Sequence, residues 1–163
     1  MARIHHTAII SRDVDASLRF WRDGLGLAVL MDFPFEGDWP TLFGAESTSL
    51  RSVFLGDPAH ADAGVIELVV FGDGVAVGEE GVSGDTASAD SGPPTSGFFL
   101  VSLHAEIDAV LPRLAELGMG GEPRVVEVAA GVRLAVVTDP DGVKVELMDQ
   151  AQANLGRIVD HDG

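Results

Sequence analysis

The chain has no cysteine and no tyrosine. Without cysteine there is no disulfide framework, no thiolate metal site and no thiol nucleophile. Basic residues are scarce: ten Lys and Arg stand against 26 Asp and Glu, a net charge of −16, and Lys144 is the single lysine. A nucleic-acid partner needs a basic stripe and an anionic membrane needs basic clusters, so neither partner is expected. No apolar run approaches the roughly 20 residues that span a bilayer. The N-terminus, Met1-Ala2-Arg3-Ile4-His5-His6, has no apolar signal core. The expectation is a cytoplasmic protein. GxGxxG, P-loop and GxSxG patterns are missing, which leaves dinucleotide, nucleotide and serine-hydrolase chemistry without support.

What is present is an ordinary globular composition, 46% hydrophobic and 22% charged over 163 residues. Residues 4–10 read as a strand. Asp13 is a helix N-cap, and Val14, Leu18, Trp21 and Leu25 follow at helical spacing, with Gly24 and Gly26 ending the run. Phe20 and Trp21 read as core. Strands are expected at 27–33, 50–56 and 64–71, with 34–49 irregular and carrying exposed-looking Phe35, Trp39 and Phe43. From Gly72 to Gly97 the composition turns to Gly, Ser, Thr and acid with no Lys or Arg, as a solvated linker would. The pattern then restarts: a strand at 98–104, a helix over 106–117 containing Pro112, and strands at 124–129, 132–138 and 143–149.

The two halves match. Asp13–Leu18 lies over Glu106–Leu111, each position 93 further on, and Val65–Leu68 lies over Lys144–Leu147, each 79 further on. An internal duplication of a βαβββ unit follows, giving a first module over 1–73, an acidic linker over 74–97, a second module over 98–150 and a tail over 151–163. The fold class is α+β, two βαβββ modules forming a curved mixed sheet around a concave site.

Paired βαβββ modules that open with IHHTAI and RDVDASLRFWRDGLGL and close with TDPDGVKVELMD resemble the vicinal oxygen chelate superfamily. That superfamily includes glyoxalase I, methylmalonyl-CoA epimerase, extradiol dioxygenases, fosfomycin-resistance enzymes and bleomycin-binding proteins. The resemblance implies metal ligands at the first and last strand of each module, which here match His6, Glu67, Glu146 and, 93 residues beyond His6, Phe99. Phenylalanine cannot ligate. One imidazole and two carboxylates remain, a donor set for Zn²⁺, Ni²⁺, Mn²⁺ or Fe²⁺ completed by water. Strand alternation turns His5 away from His6, and turns His104 away from position 99; His60 falls in a loop and His161 in the tail.

Two functions stay open. One is a metal-assisted lyase or isomerase in which Glu146 or Glu67 moves a proton alpha to a carbonyl of a small substrate. The other is a non-catalytic protein of the bleomycin-resistance type, holding a cationic or aromatic small molecule against Phe33, Phe35, Trp39 and Phe43. Phe99, Trp39, Arg51 and Arg133 are candidate substrate-binding residues, the two arginines being equally readable as surface ion-pair partners. The resemblance also implies a homodimer.

Overall fold

The computed structural model describes residues 5–61, 64–72, 97–98, 100–129 and 132–149. Most of the expected linker, the tail from 151 onward and Phe99 lie outside them. The chain divides into two compact units, Met1–Gly84 and Asp85–Gly163. Among the described residues no helix is long and apolar enough to cross a membrane.

The first unit runs β1 (His6–Ile10), α1 (Val14–Leu18), β2 (Ala28–Glu36), α2 (Trp39–Phe43), β3 (Ser49–Gly56) and β4 (Val65–Phe71). Its sheet has the order β1-β4-β3-β2, with β1 parallel to β4 and the other pairs antiparallel. The second unit runs β5 (Val101–His104), α3 (Ile107–Glu116), β6 (Gly120–Ala129), β7 (Val132–Thr138) and β8 (Lys144–Met148). Its order is β5-β8-β7-β6, again with the first and last strands parallel. The duplication is therefore a duplication of topology, and the α+β class with two βαβββ modules holds.

Local chemistry explains the elements. Asp13 Oδ1 accepts the Ala16 N–H at 3.0 Å, capping α1. The helix then continues as a π-helical segment, Arg19–Gly24, where the Leu25 N–H reaches back to the Phe20 carbonyl at 2.9 Å. Its wide turn buries the neighbours Phe20 and Trp21 completely, edge-to-face with centroids 5.2 Å apart. They join Leu18, Ile9, Val53, Leu55, Ile66 and Leu68 in the core of the first unit. Because side chains alternate along a strand, Val53, Leu55, Ile66 and Leu68 share one face of the sheet, and Ser52, Phe54 and Glu67 share the other. In the second unit Ile107, Val110 and Leu114 of α3 are buried together with Ala135, Val137, Val145 and Leu147. The turn between β7 and β8 is held by buried Asp139, whose Oδ1 accepts the N–H groups of Asp141 and Val143 at 2.9 and 2.8 Å.

The segment 34–49 is not irregular throughout. β2 continues through Pro34 to Glu36, and α2 follows, capped by Asp38 at Thr41 N. Pro34 is tolerated because β2 is an edge strand, and Pro123 sits in the edge strand β6 for the same reason. Gly37 is required where β2 meets α2: a Cβ there would stand 2.6 Å from the Trp39 ring.

Phe20 fills space that no neighbour can reclaim, so Phe20→Ala is expected to cost about 3–5 kcal/mol. Urea unfolding followed by Trp fluorescence measures it, and the slope of the transition should stay unchanged.

Candidate functional site

The parallel register of β1 on β4 pairs Ala8 with Glu67, and places His6 two residues earlier on the same face. His6 Nε2 lies 3.1 Å from Glu67 Oε2. Glu67 Oε1 accepts a hydrogen bond from the hydroxyl of Ser52 on β3, and the His6 ring meets the Phe54 ring edge-to-face at 5.4 Å. The Glu67 side chain is largely buried, at 15% exposure, whereas His6 is 38% exposed. A carboxylate so enclosed needs donors on both oxygens, and it has them.

In the second unit the register of β5 on β8 pairs Ser102 with Glu146. The Ser102 hydroxyl donates to Glu146 Oε2 at 2.7 Å. Ala8 of the first unit thus corresponds to Ser102 of the second. Ser52 corresponds to Leu134, because Phe54 stands opposite Glu67 as Val136 stands opposite Glu146. Each glutamate keeps one serine hydroxyl, taken from opposite flanking strands in the two units.

Counting back from the same register leads to a neighbour of Phe99. Two residues before Ser102, one residue ahead of β5, is Leu100, half-buried and apolar, which by count takes the place of His6. The helix caps Asp13 and Glu106 keep the separation of 93, but the second unit has one residue fewer between strand and helix. Phe99, where that separation pointed, lies outside the described residues. The one-residue change also reverses the parity of His104, which falls on the face of Ser102. His5 corrects the alternation argument too: it precedes β1, and its Nδ1 lies 3.0 Å from His6 Nδ1. His60 lies in a 3₁₀ turn, Pro58–His60, paired with Asp57 at 2.9 Å.

The arginines are elsewhere. Arg51 stands beside Ser52, on the opposite face of the sheet from Glu67, with two hydrogen bonds of 2.8 Å to Asp32. This guanidinium, hydrogen-bonded to Asp32, holds that carboxyl below its ordinary range. Arg133 is the equivalent residue of the second unit and reaches from β7 to Asp108 on α3 at 2.8 and 2.9 Å, and to Asp149 at 2.8 Å. Its hydrogen bonds to Asp108 and then to Asp149 raise its own pKa. Trp39 opens α2, stacked on Phe43 with centroids 5.8 Å apart. Phe33, Phe35, Leu42 and Phe43 are exposed.

Residues 3–147 match the family described as the glyoxalase/bleomycin resistance protein/dioxygenase superfamily. The chain belongs to that superfamily. It is 36% identical over 160 residues to the lactoylglutathione lyase-like protein terB of Aspergillus terreus, a match that covers 93% of this chain and 77% of that protein. Its fold is similar to a glyoxalase family protein from Bacillus cereus, with a TM-score of 0.70, 20% identity, and coverage of 91% of this chain and 94% of that one. It is also similar to the glyoxalase I of Leishmania major, described as trypanothione-dependent, with a TM-score of 0.61, 21% identity, and coverage of 96% and 92%.

The sequence resemblance implies His6, Glu67 and Glu146 as metal ligands. Among the described residues no three His, Cys, Asp or Glu side chains form a ready metal cluster. The pair in the first unit nonetheless fits: with bonds of about 2.0–2.2 Å, adjacent donors stand about 2.8–3.1 Å apart on an octahedral ion and about 3.3–3.6 Å apart on a tetrahedral one, and His6 Nε2 and Glu67 Oε2 are 3.1 Å apart. Ser52 holds the remaining Glu67 oxygen, which fixes the orientation of the carboxylate.

The Arg133 cluster generates a stability prediction. Asp108 lies below its ordinary value of 3.8 because Arg133 hydrogen-bonds it. Its contribution is therefore present above about pH 4 and is lost as pH falls through the lowered value. Arg133→Leu should lower Tm at pH 7 and flatten the decline of Tm between about pH 4 and pH 2, as read by circular dichroism.

Proposed function

We propose that this superfamily member is a metal-assisted lyase or isomerase of glyoxalase type, moving a proton alpha to a carbonyl of a small substrate. The observation that carries the reading is the 3.1 Å approach of His6 Nε2 to Glu67 Oε2, with Ser52 fixing the other oxygen. The relative from Aspergillus terreus, lactoylglutathione lyase-like by name, supports the reaction class.

A divalent ion, when bound, supplies Lewis acidity to the substrate's carbonyl oxygens. His6 and Glu67 are the residues of the first unit that would hold it. The exposed edge of His6 offers a neutral nitrogen, and Glu67 offers the oxygen that Ser52 leaves free. Glu146, oriented by Ser102, takes the proton from the carbon alpha to the carbonyl and returns it to the neighbouring position. Ser102 holds one oxygen, so the proton is carried by the other. Phe54, packed on the His6 ring, keeps water from one side of the imidazole.

A second reading rests on a different observation, the exposed Phe33, Phe35, Leu42 and Phe43 and the stacking of Trp39 on Phe43. On that reading the chain sequesters a planar or cationic molecule against aromatic faces and catalyses nothing.

The test is turnover of thiol adducts of α-ketoaldehydes and of acyl-CoA epimers by metal-loaded protein. Glu146→Gln should lower kcat by about 10²–10⁴-fold with metal content unchanged. Full activity in that variant contradicts the role of Glu146. Absence of turnover, together with quenching of tryptophan fluorescence by cationic aromatic ligands, supports sequestration instead.

A further inference from the structure

His5 and His6 are neighbours in sequence, and a strand containing both would point them to opposite faces. β1 begins only at His6, so His5 is free to turn back. Its Nδ1 lies 3.0 Å from His6 Nδ1, and the two rings meet edge-to-face with centroids 5.2 Å apart. Both rings also make edge contacts with Phe54, at 6.4 and 5.4 Å. The polar groups thus form one series: His5, His6, Glu67 and Ser52.

Each nitrogen of a neutral imidazole has one role, donor or acceptor. Whatever fixes His6 Nε2 therefore fixes His6 Nδ1, and through it His5 Nδ1. An ionised Glu67 only accepts, so the neutral His6 carries its proton on Nε2. His6 Nδ1 then accepts from the Nδ1–H of His5, and His5 Nε2 is bare. A His6 that ligates through Nε2 must offer a lone pair there and place its proton on Nδ1.

From this series we infer that His5 is a positioning residue for His6, and that metal loading reverses the proton arrangement of both rings. The inference rests on the metal-binding reading of His6 and Glu67 and deepens it. In the loaded protein the His6 Nδ1–H donates to His5 Nδ1, and the His5 proton stands on Nε2. Protons balance: each ring keeps one, His6 moving its own from Nε2 to Nδ1 and His5 from Nδ1 to Nε2, by exchange with solvent at these exposed side chains. The usual acceptor behind a metal-bound histidine is a carboxylate, a carbonyl or water; here it is a second imidazole, supplied by the residue next in the chain. Its effect is to hold the His6 ring at the rotation that turns Nε2 toward Glu67.

The experiment uses the full chain without a histidine tag, ¹⁵N-labelled at histidine, with Zn²⁺ as a diamagnetic probe at pH 8.5. Long-range ¹H–¹⁵N correlations should show His6 as the Nε2–H form and His5 as the Nδ1–H form before zinc, and both reversed after it. In parallel, zinc affinity is measured by competition with a chromophoric chelator. His5→Phe keeps an aromatic ring against Phe54 and removes the acceptor, and should weaken zinc binding about 10–100-fold. His5→Gln, whose amide oxygen accepts, should recover most of that loss. Equal affinity in wild type and His5→Phe, or tautomers that zinc leaves unchanged, overturns the role of His5 while the metal site stands. No zinc uptake by the wild type overturns both readings together.

Discussion

In each unit the strand that opens the βαβββ pattern pairs in parallel with the strand that closes it, β1 with β4 and β5 with β8. Parallel partners cannot be joined by a hairpin, so a helix and two strands lie between them in the chain. That pairing puts the closing strand at the interior of a four-stranded sheet. It also puts one glutamate of each closing strand within reach of the opening strand. Glu67 meets His6 and Glu146 meets Ser102 because of register. A slip of one residue would send every one of these side chains to the other face.

The sheet faces divide the labour. The face carrying Val53, Leu55, Ile66 and Leu68 is dry, and its helix supplies Phe20 and Trp21. The other face carries His6, Ser52, Phe54 and Glu67. Arg51 and Arg133 belong to the first kind of face, at equivalent positions of the repeat, and their charge is spent on Asp32 and on Asp108 with Asp149. Arg133 ties its sheet to α3. The enclosed glutamates depend on short-range donors instead, and the two units solve that need differently: Ser52 comes from β3, Ser102 from β5.

Much of this was legible in the sequence because it depends on period and repetition. The helix face with Leu18 and Trp21, the Asp13 cap, the turn at Asp139–Gly142 and the equivalence of Glu67 with Glu146 all follow from spacing. Spacing is least informative where one residue changes the outcome. The separation of 93 between the helix caps leads from His6 to Phe99, whereas counting back from the strand register leads to Leu100; no spacing signal shows that the second unit has one residue fewer before its helix. His5 defeated the alternation argument because it lies just outside the strand to which alternation applies. β2 extends further than its apolar pattern, since an edge strand accepts Pro34 and exposed side chains. The ion pairs of Arg51 and Arg133 join residues 16 to 25 apart, and local pattern carries no trace of them.

On the proposed function, His6 and Glu67 are donors to a divalent ion. The most direct measurement is metal content of the untagged protein by mass spectrometry after incubation with Ni²⁺, Zn²⁺, Mn²⁺ or Fe²⁺ and removal of excess, with His6→Ala treated identically. About one equivalent of at least one of these ions is expected in the wild type, and its loss in His6→Ala. Failure to retain any of them, or equal retention by the variant, would contradict it.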